Sequence, residues 1–330
     1  MYRSGFTDGL PIVPPTLERV EAMLSASGRD PEEVIAVLEP SGAEATVQAL
    51  AVNAVMAGCL PEYLPVLIAA VHAIADEEFN LLGIQSTTGS PAPVVIVNGP
   101  IGRRLEMNQG SGALGPGNRA NATIGRALSL ILRNVGGARP GEEDMATLGQ
   151  PAKYGLCFPE NEEESPWPSL HTDLGFASDE NALTMAAIAG YVEVVDVFSR
   201  DADGVLATLA GAVAGTCLAG QTATHRAVSP VLVLTPEHAH QLAERFTKAQ
   251  VRQGVWDQAS LTLEQVGPRV KQQVMERRLR RGGEDVNGPL RPCPTPEDII
   301  VVVAGGVGQK SAYLPAWYGG SKAQTRPIRT

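Results

Sequence analysis

The residues best suited to chemistry stand in one stretch, Asn108-Gln109-Gly110-Ser111-Gly112-Ala113-Leu114-Gly115-Pro116-Gly117-Asn118-Arg119-Ala120-Asn121-Ala122-Thr123-Ile124-Gly125-Arg126. Four glycines from Gly110 to Gly117 let the backbone approach a ligand closely and turn successive N–H groups toward it. The helix expected just afterwards adds the positive end of its dipole. A negative guest suits such a receptor: a phosphate, a carboxylate or an oxyanion formed during reaction. Arg119 and Arg126 are placed to hold it bidentately, and Asn108, Asn118 and Asn121 offer amides to orient it. The plainer reading is a long glycine loop whose asparagines satisfy their own turns. The spacing is neither that of a P-loop nor that of a dinucleotide fingerprint, because no strand lies immediately upstream of Gly110-Ser111-Gly112.

A second cluster, Gly305-Gly306-Val307-Gly308-Gln309-Lys310-Ser311, follows the apolar run Ile299 to Val303, and ligands in α/β sheets gather at the carboxyl ends of strands. Lys310 would bring another cation to the same ligand, and Ser311 a donor or nucleophile; the alternative is a tight turn exposing an ordinary lysine. Cys59 lies between two expected helices, and at the positive start of the second its thiol pKa would fall, as a nucleophile requires. Most free cysteines are only small buried hydrophobes. Glu62 and Tyr63 beside it offer an acid or base and a donor. Asp8, braced by prolines, could serve as a base or cap a turn. Glu160 stands after a short strand and before a loop, an acid/base position, whereas Glu162 to Glu164 read as a solvated acidic run. His72, His171, His225, His238 and His240 make no metal-ligand spacing, so no metal is expected. His225 is the histidine best placed for acid/base work.

The elements that must position these groups alternate between strand and helix. Asp8-Gly9-Leu10-Pro11-Ile12-Val13-Pro14-Pro15-Thr16 must be extended, with Thr16 capping a helix from Leu17 to Ser25. Strands are expected at Val34 to Leu38, Pro93 to Val97, Leu183 to Ile188, Val192 to Val197, Val231 to Leu234 and Ile299 to Val303. Helices are expected at Ala45 to Cys59, Pro61 to Ala75, Ala120 to Val135, Ala202 to Ala219, from Pro236, Lys248 to Ser260 and Leu263 to Leu279, the last ending in the cationic turn Arg277 to Arg281. This is an α/β chain of two βα-containing halves with the site between them. Its parts are an N-terminal half over 1–140 carrying the glycine-rich loop, a Gly/Pro/Glu-rich crossing over 141–180, and a C-terminal half over 181–330. A strand ending in a glycine turn in each half is the mark a duplication would leave, although residue identity between the halves is too low to count as a repeat.

Composition narrows the partners. A chain of 330 residues buries a large core without staples. Cys59, Cys157, Cys217 and Cys293 lie far apart and read as reduced thiols. A formal charge of −10 and only 5% aromatic residues argue against nucleic acid. No leader or membrane-spanning run is evident, so a cytoplasmic location is expected. The alanine-rich helices at Ala45 and Ala202 suggest a homodimer. The resulting expectation is an enzyme of small-molecule metabolism with hydrolytic, lyase or transfer chemistry on an anionic substrate, its cofactor unknown. The rivals are a nucleotide- or coenzyme A-dependent enzyme and a noncatalytic ligand-binding subunit.

Asp8 to Thr16, Met56 to Pro65, Gly115 to Arg126, Asn134-Val135-Gly136-Gly137 and the tail from Gly305 to Trp317 resemble a largely uncharacterised bacterial family with an Asp-Gly-Leu-Pro-x-Val-Pro-Pro-Thr opening. That family is grouped beside selenoproteins named for a Sec-Gly-Ser-Cys (UGSC) motif. The resemblance spans almost the whole chain and implies one kind of site built from both halves. The motif itself is absent. The nearest string is Gly215-Thr216-Cys217 in a helical pattern, so thiol redox activity does not carry over.

Overall fold

The computed structural model describes residues 5–216, 227–282 and 285–329. In chain order the strands are β1 (Val34–Leu38), β2 (Ala43–Thr46), β3 (Ala92–Asn98), β4 (Leu156–Pro159), β5 (Ala182–Ile188), β6 (Val192–Val195), β7 (Val231–Leu234), β8 (Ile300–Val303), β9 (Lys310–Leu314) and β10 (Gln324–Pro327). β1 and β2 form a small hairpin, and the others form two four-stranded mixed sheets ordered β10-β5-β3-β4 and β6-β9-β7-β8. Each sheet has the same plan. A parallel pair, β3 with β4 or β7 with β8, is followed by an antiparallel neighbour, β5 or β9, and then by an outer strand.

The outer strands are exchanged. β5 runs on into β6, which pairs with β9 of the second sheet; β9 runs on into β10, which returns to pair with β5. Where the two ribbons cross, Ala189 N–H donates to the Pro315 carbonyl (2.7 Å) and Trp317 N–H to the Ala187 carbonyl (3.1 Å). The molecule is therefore an α/β fold of two halves, but β5 and β10, both from the 181–330 part of the chain, complete the first sheet.

Alternation along the strands explains the layers. In a strand, neighbouring side chains point to opposite faces. Val95 and Val97 of β3 pack with the helices Val47–Ala57, Leu64–Ile74 and Arg119–Asn134, while Val94 and Ile96 join the other core face. Leu232 and Leu234 of β7 likewise face the helices Ala202–Gly215, Pro236–Ala243 and Lys248–Gln258, while Val231 and Val233 turn to the same inner core as Val94 and Ile96. The sheets thus stack face to face between two helical layers. Strands covered on both sides need continuous apolar runs, which is what these sequences supply.

Several boundaries differ from the sequence expectation. The helix anticipated from Leu263 begins at Pro268, where proline fits the first helical turn. Lys310 and Ser311, read as the end of a turn, open β9. β2 and β10 were not anticipated; both are short and partly polar. His225 and Cys217 lie outside the described residues. No helix among the described residues is long and apolar enough to cross a membrane.

Candidate functional site

Stacking brings the carboxyl ends of both parallel pairs to one end of the molecule. Beyond β4, Asn161 N–H donates to the Val303 carbonyl at the end of β8 (2.7 Å), and Gly305 N–H donates to the Gln109 carbonyl (2.9 Å). The glycine-rich loop and the Gly305 turn are therefore neighbours. Their approach is so close that a Cβ on Gly306 would lie 1.9 Å from Ser111 Oγ.

The chemical centre of this end is a pair of carboxyls. Asn98, the last residue of β3, donates from Nδ2 both to Glu160 Oε2 (2.6 Å) and to Glu162 Oε1 (3.0 Å). The Leu170 amide also donates to Glu160 Oε2 (2.8 Å), and the Gly99 amide to Glu162 Oε1 (2.7 Å). Their surroundings differ: Glu160 is 2% exposed, whereas the Glu162 side chain keeps 28% of its surface. Burial pushes the Glu160 carboxyl above the usual carboxylate range, against the pull of the Lys248 ammonium and the Leu170 and Asn98 N–H donors. The nearby Glu162 charge pushes it the same way as burial.

Around this pair stand further polar groups. His171, wholly buried, has Nδ1 2.9 Å from Ser169 Oγ and 3.6 Å from Glu162 Oε1. Lys248 is buried with its ammonium on the Pro168 carbonyl and 3.0 Å from Asp173 Oδ2. Asn98 Oδ1, Glu160 Oε1, His171 Nε2 and Thr235 Oγ1 are buried without a hydrogen-bond partner among the described residues. Buried polar atoms are nearly always paired, so four such atoms near the sheet ends make this end the candidate site.

The expected site residues fall into three groups. Glu160 lies at the sheet ends, as do the glycine loop and Lys310, which is exposed. Within the loop the asparagines are spent on structure. Asn118 caps the helix by accepting from the Asn121 amide (3.0 Å), and Asn121 holds the loop by donating to the carbonyls of Asn108 (2.8 Å) and Ala113 (3.0 Å). Asn108 Oδ1 accepts from Gly110 N–H (3.0 Å). Gly112 and Gly117 occupy the positive-φ conformations that favour glycine. Ser311 is buried, accepting from the Thr235 amide (3.2 Å) and lying 2.8 Å from His238 Nδ1. It braces β9 rather than lining a turn.

The second group is committed elsewhere. Arg126, anticipated as an anion clamp, and Asp8, anticipated as a base, bind each other through two 2.8 Å contacts. Burial works to raise the Asp8 carboxyl, but the Arg126 guanidinium and the Leu10 amide outweigh it and hold it below its ordinary value. Arg119, exposed at the surface, is tied more lightly: its Nε donates to the Gly58 carbonyl (3.0 Å), pinning the helix start to the Cys59 turn, and its Nη groups have no partner among the described residues. Cys59 forms the third group, and its expected activation is corrected. Burial raises the thiol to about 12, far outweighing the S–H bond to the Thr123 carbonyl and the charge of Arg119. Desolvation of the thiolate overrides any helix-start effect.

Asn98, Glu162 and His171 went unread as site residues. Asn98 lies one residue beyond the strand expected at Pro93 to Val97, and Glu162 belongs to the run read as a solvated acidic face. In the structure Glu162 turns inward, while Glu163 beside it pairs with Arg103 at the surface. The available signal was the Glu160-x-Glu162 spacing directly after a strand. Among the described residues no group of three or more His, Cys, Asp or Glu side chains is placed to hold a metal ion. Comparison with protein-family models, with curated proteins and with solved structures finds no match for the chain.

Proposed function

We propose that the chain is an enzyme of small-molecule metabolism that takes an anionic substrate at the junction of the two sheet ends and moves protons on it. One observation carries this reading: a single amide, Asn98 Nδ2, is shared by two carboxyls, one fully buried and pushed toward its protonated form, the other reached by solvent. Such a pair supplies an acid and a base at one pH. Glu160, buried and pushed toward its protonated form, is the acid. Its Oε2 already accepts two N–H bonds, so the proton belongs on the unpartnered Oε1. Glu162, reached by solvent, is the base. With Arg126 and the asparagines committed to structure, negative charge on the substrate falls to the glycine-loop backbone, the start of the Arg119–Asn134 helix and Lys310.

The test is a proton-exchange and turnover screen of small carboxylates and phosphate esters in D2O, followed by proton NMR, with wild type, Glu160→Gln and Glu162→Gln. Loss of one acid or base group should slow a reactive compound by about 100-fold or more. A substrate turned over equally well by both variants would remove the pair from the reaction and the proposal with it.

A further inference from the structure

We infer a second ligand site, for a monocarboxylate with an apolar body, in a cavity at the opposite end of β3 from Asn98. The cavity measures about 610 Å³ and lies between the amino end of β3, the later turns of the Arg119–Asn134 helix and the 138–154 segment. That volume is in the range of about 300–1,000 Å³ that small-molecule pockets occupy. Its apolar wall is formed by Pro91, Pro93, Leu132, Ala138 and Ala146, with Leu148 almost wholly exposed at the rim.

The charge on the lining selects the ligand. Four charged side chains line it: Asp8, Arg133, Asp144 and Lys153. Asp8 is neutralised by Arg126, and Asp144 by Lys153 at 2.6 Å. Arg133 donates from Nε to the Gly5 carbonyl (3.1 Å), and neither Nη group has a partner among the described residues. Among the described residues, one uncompensated guanidinium edge therefore remains in the lining of a cavity with apolar walls. It matches a carboxylate by fork geometry. A doubly charged phosphate is disfavoured, because with Asp8 and Asp144 each paired to its own cation the single Arg133 guanidinium balances only one of its charges. The site shares no lining residue with the Glu160–Glu162 junction.

The probe is 3-phenylpropionate, compared with 3-phenylpropanol and 3-phenylpropylamine, by isothermal titration calorimetry. Wild type should bind the carboxylate at least tenfold more tightly than either isostere. Arg133→Gln should bring the carboxylate down to the level of the alcohol, and Ala146→Phe, which fills the cavity from a surface segment, should weaken alcohol and acid alike. Glu162→Gln, at the other site, should leave the affinity unchanged. No binding to wild type, or equal binding by Arg133→Gln, overturns the inference. Loss of binding in Glu162→Gln with retention in Ala146→Phe would place the carboxylate at the sheet ends, sinking this site while sparing the proposed function.

Discussion

At the scale of residues, Glu160 is both the proposed acid and a structural acceptor, and the two roles separate by substitution. Its Oε2 receives N–H bonds from Leu170 and Asn98. Glu160→Ala strands both donors in a buried place, at a cost of about 1–3 kcal/mol each. Glu160→Gln retains an acceptor oxygen and removes the ionisation. Because the folded chain holds this proton more tightly than the unfolded chain, wild-type stability is fullest below the ordinary glutamate pKa of about 4.3 and erodes as pH rises through the higher folded value. Urea unfolding from pH 4 to 8 should therefore show wild type losing ground to Glu160→Gln with rising pH, and Glu160→Ala the least stable at neutrality. A wild-type-to-Gln difference that does not vary with pH would show that burial leaves this carboxyl unshifted. Glu160 itself was legible because a carboxylate directly after a short strand is a recognisable position. Its partners were not, since Glu162 to Glu164 have one composition, and only the chain's turn after β4 decides that Glu162 faces inward and Glu163 outward. The asparagines of the glycine loop were legible in type but not in role: amides that could orient a ligand can equally close the loop, and here they do the latter.

At the scale of elements, the junction depends on the glycine loop seating against the turn after β8. Gly306 is the tight point, because an added Cβ would meet Ser111 Oγ at 1.9 Å and Ser111 Cα at 3.0 Å. Gly306→Ala should cost about 1–3 kcal/mol, the usual range for overpacking. Ser111→Gly removes the side chain in the way, so the double variant should recover part of that loss, and the two effects should be coupled. Strict additivity in urea unfolding would mean that the loop and the turn do not press on each other. The sequence anticipated both elements of this contact from their glycines, and anticipated β3, β7 and β8 because strands buried on both faces carry unbroken apolar runs. It missed β10, whose Gln324-Thr325-Arg326-Pro327 has neither alternation nor apolar content. That strand is defined by its partner: it sits at a sheet edge, where proline is tolerated, and Thr325 pairs across to Thr184 at 2.8 Å. β9 was hidden in a different way, since Lys310 and Ser311 looked like the end of a glycine turn and only the buried Ala312 to Leu314 show a strand.

At the scale of the whole molecule, the exchanged strands make the two halves inseparable although each has its own sheet. Residues 1–190 contain β3, β4 and β5 but lack β10. Residues 191–330 contain every strand of the second sheet, yet alone they would expose the inner face formed by Val231, Val233, Ile300, Val302 and Leu314. The first half would expose Val94, Ile96, Phe158 and Ile188 in the same way. An apolar face of this kind is stable only when covered. The return of β10 also carries Arg326, which reaches Asp76 at 2.5 Å, and Ile328, buried in the first core. Neither fragment should therefore give a cooperative thermal transition by itself. Mixed in equal amounts, they should form a one-to-one complex by size-exclusion chromatography and regain a single transition by circular dichroism. A native-like transition from either fragment alone would mean that its sheet and helical layer are self-sufficient. The exchange would then be a connection between two domains, and a site at their junction could open and close as they move. Cooperative reassembly instead fixes the glycine loop against the Gly305 turn in every folded molecule, so the Asn98–Glu160–Glu162 arrangement is preorganised before any substrate arrives.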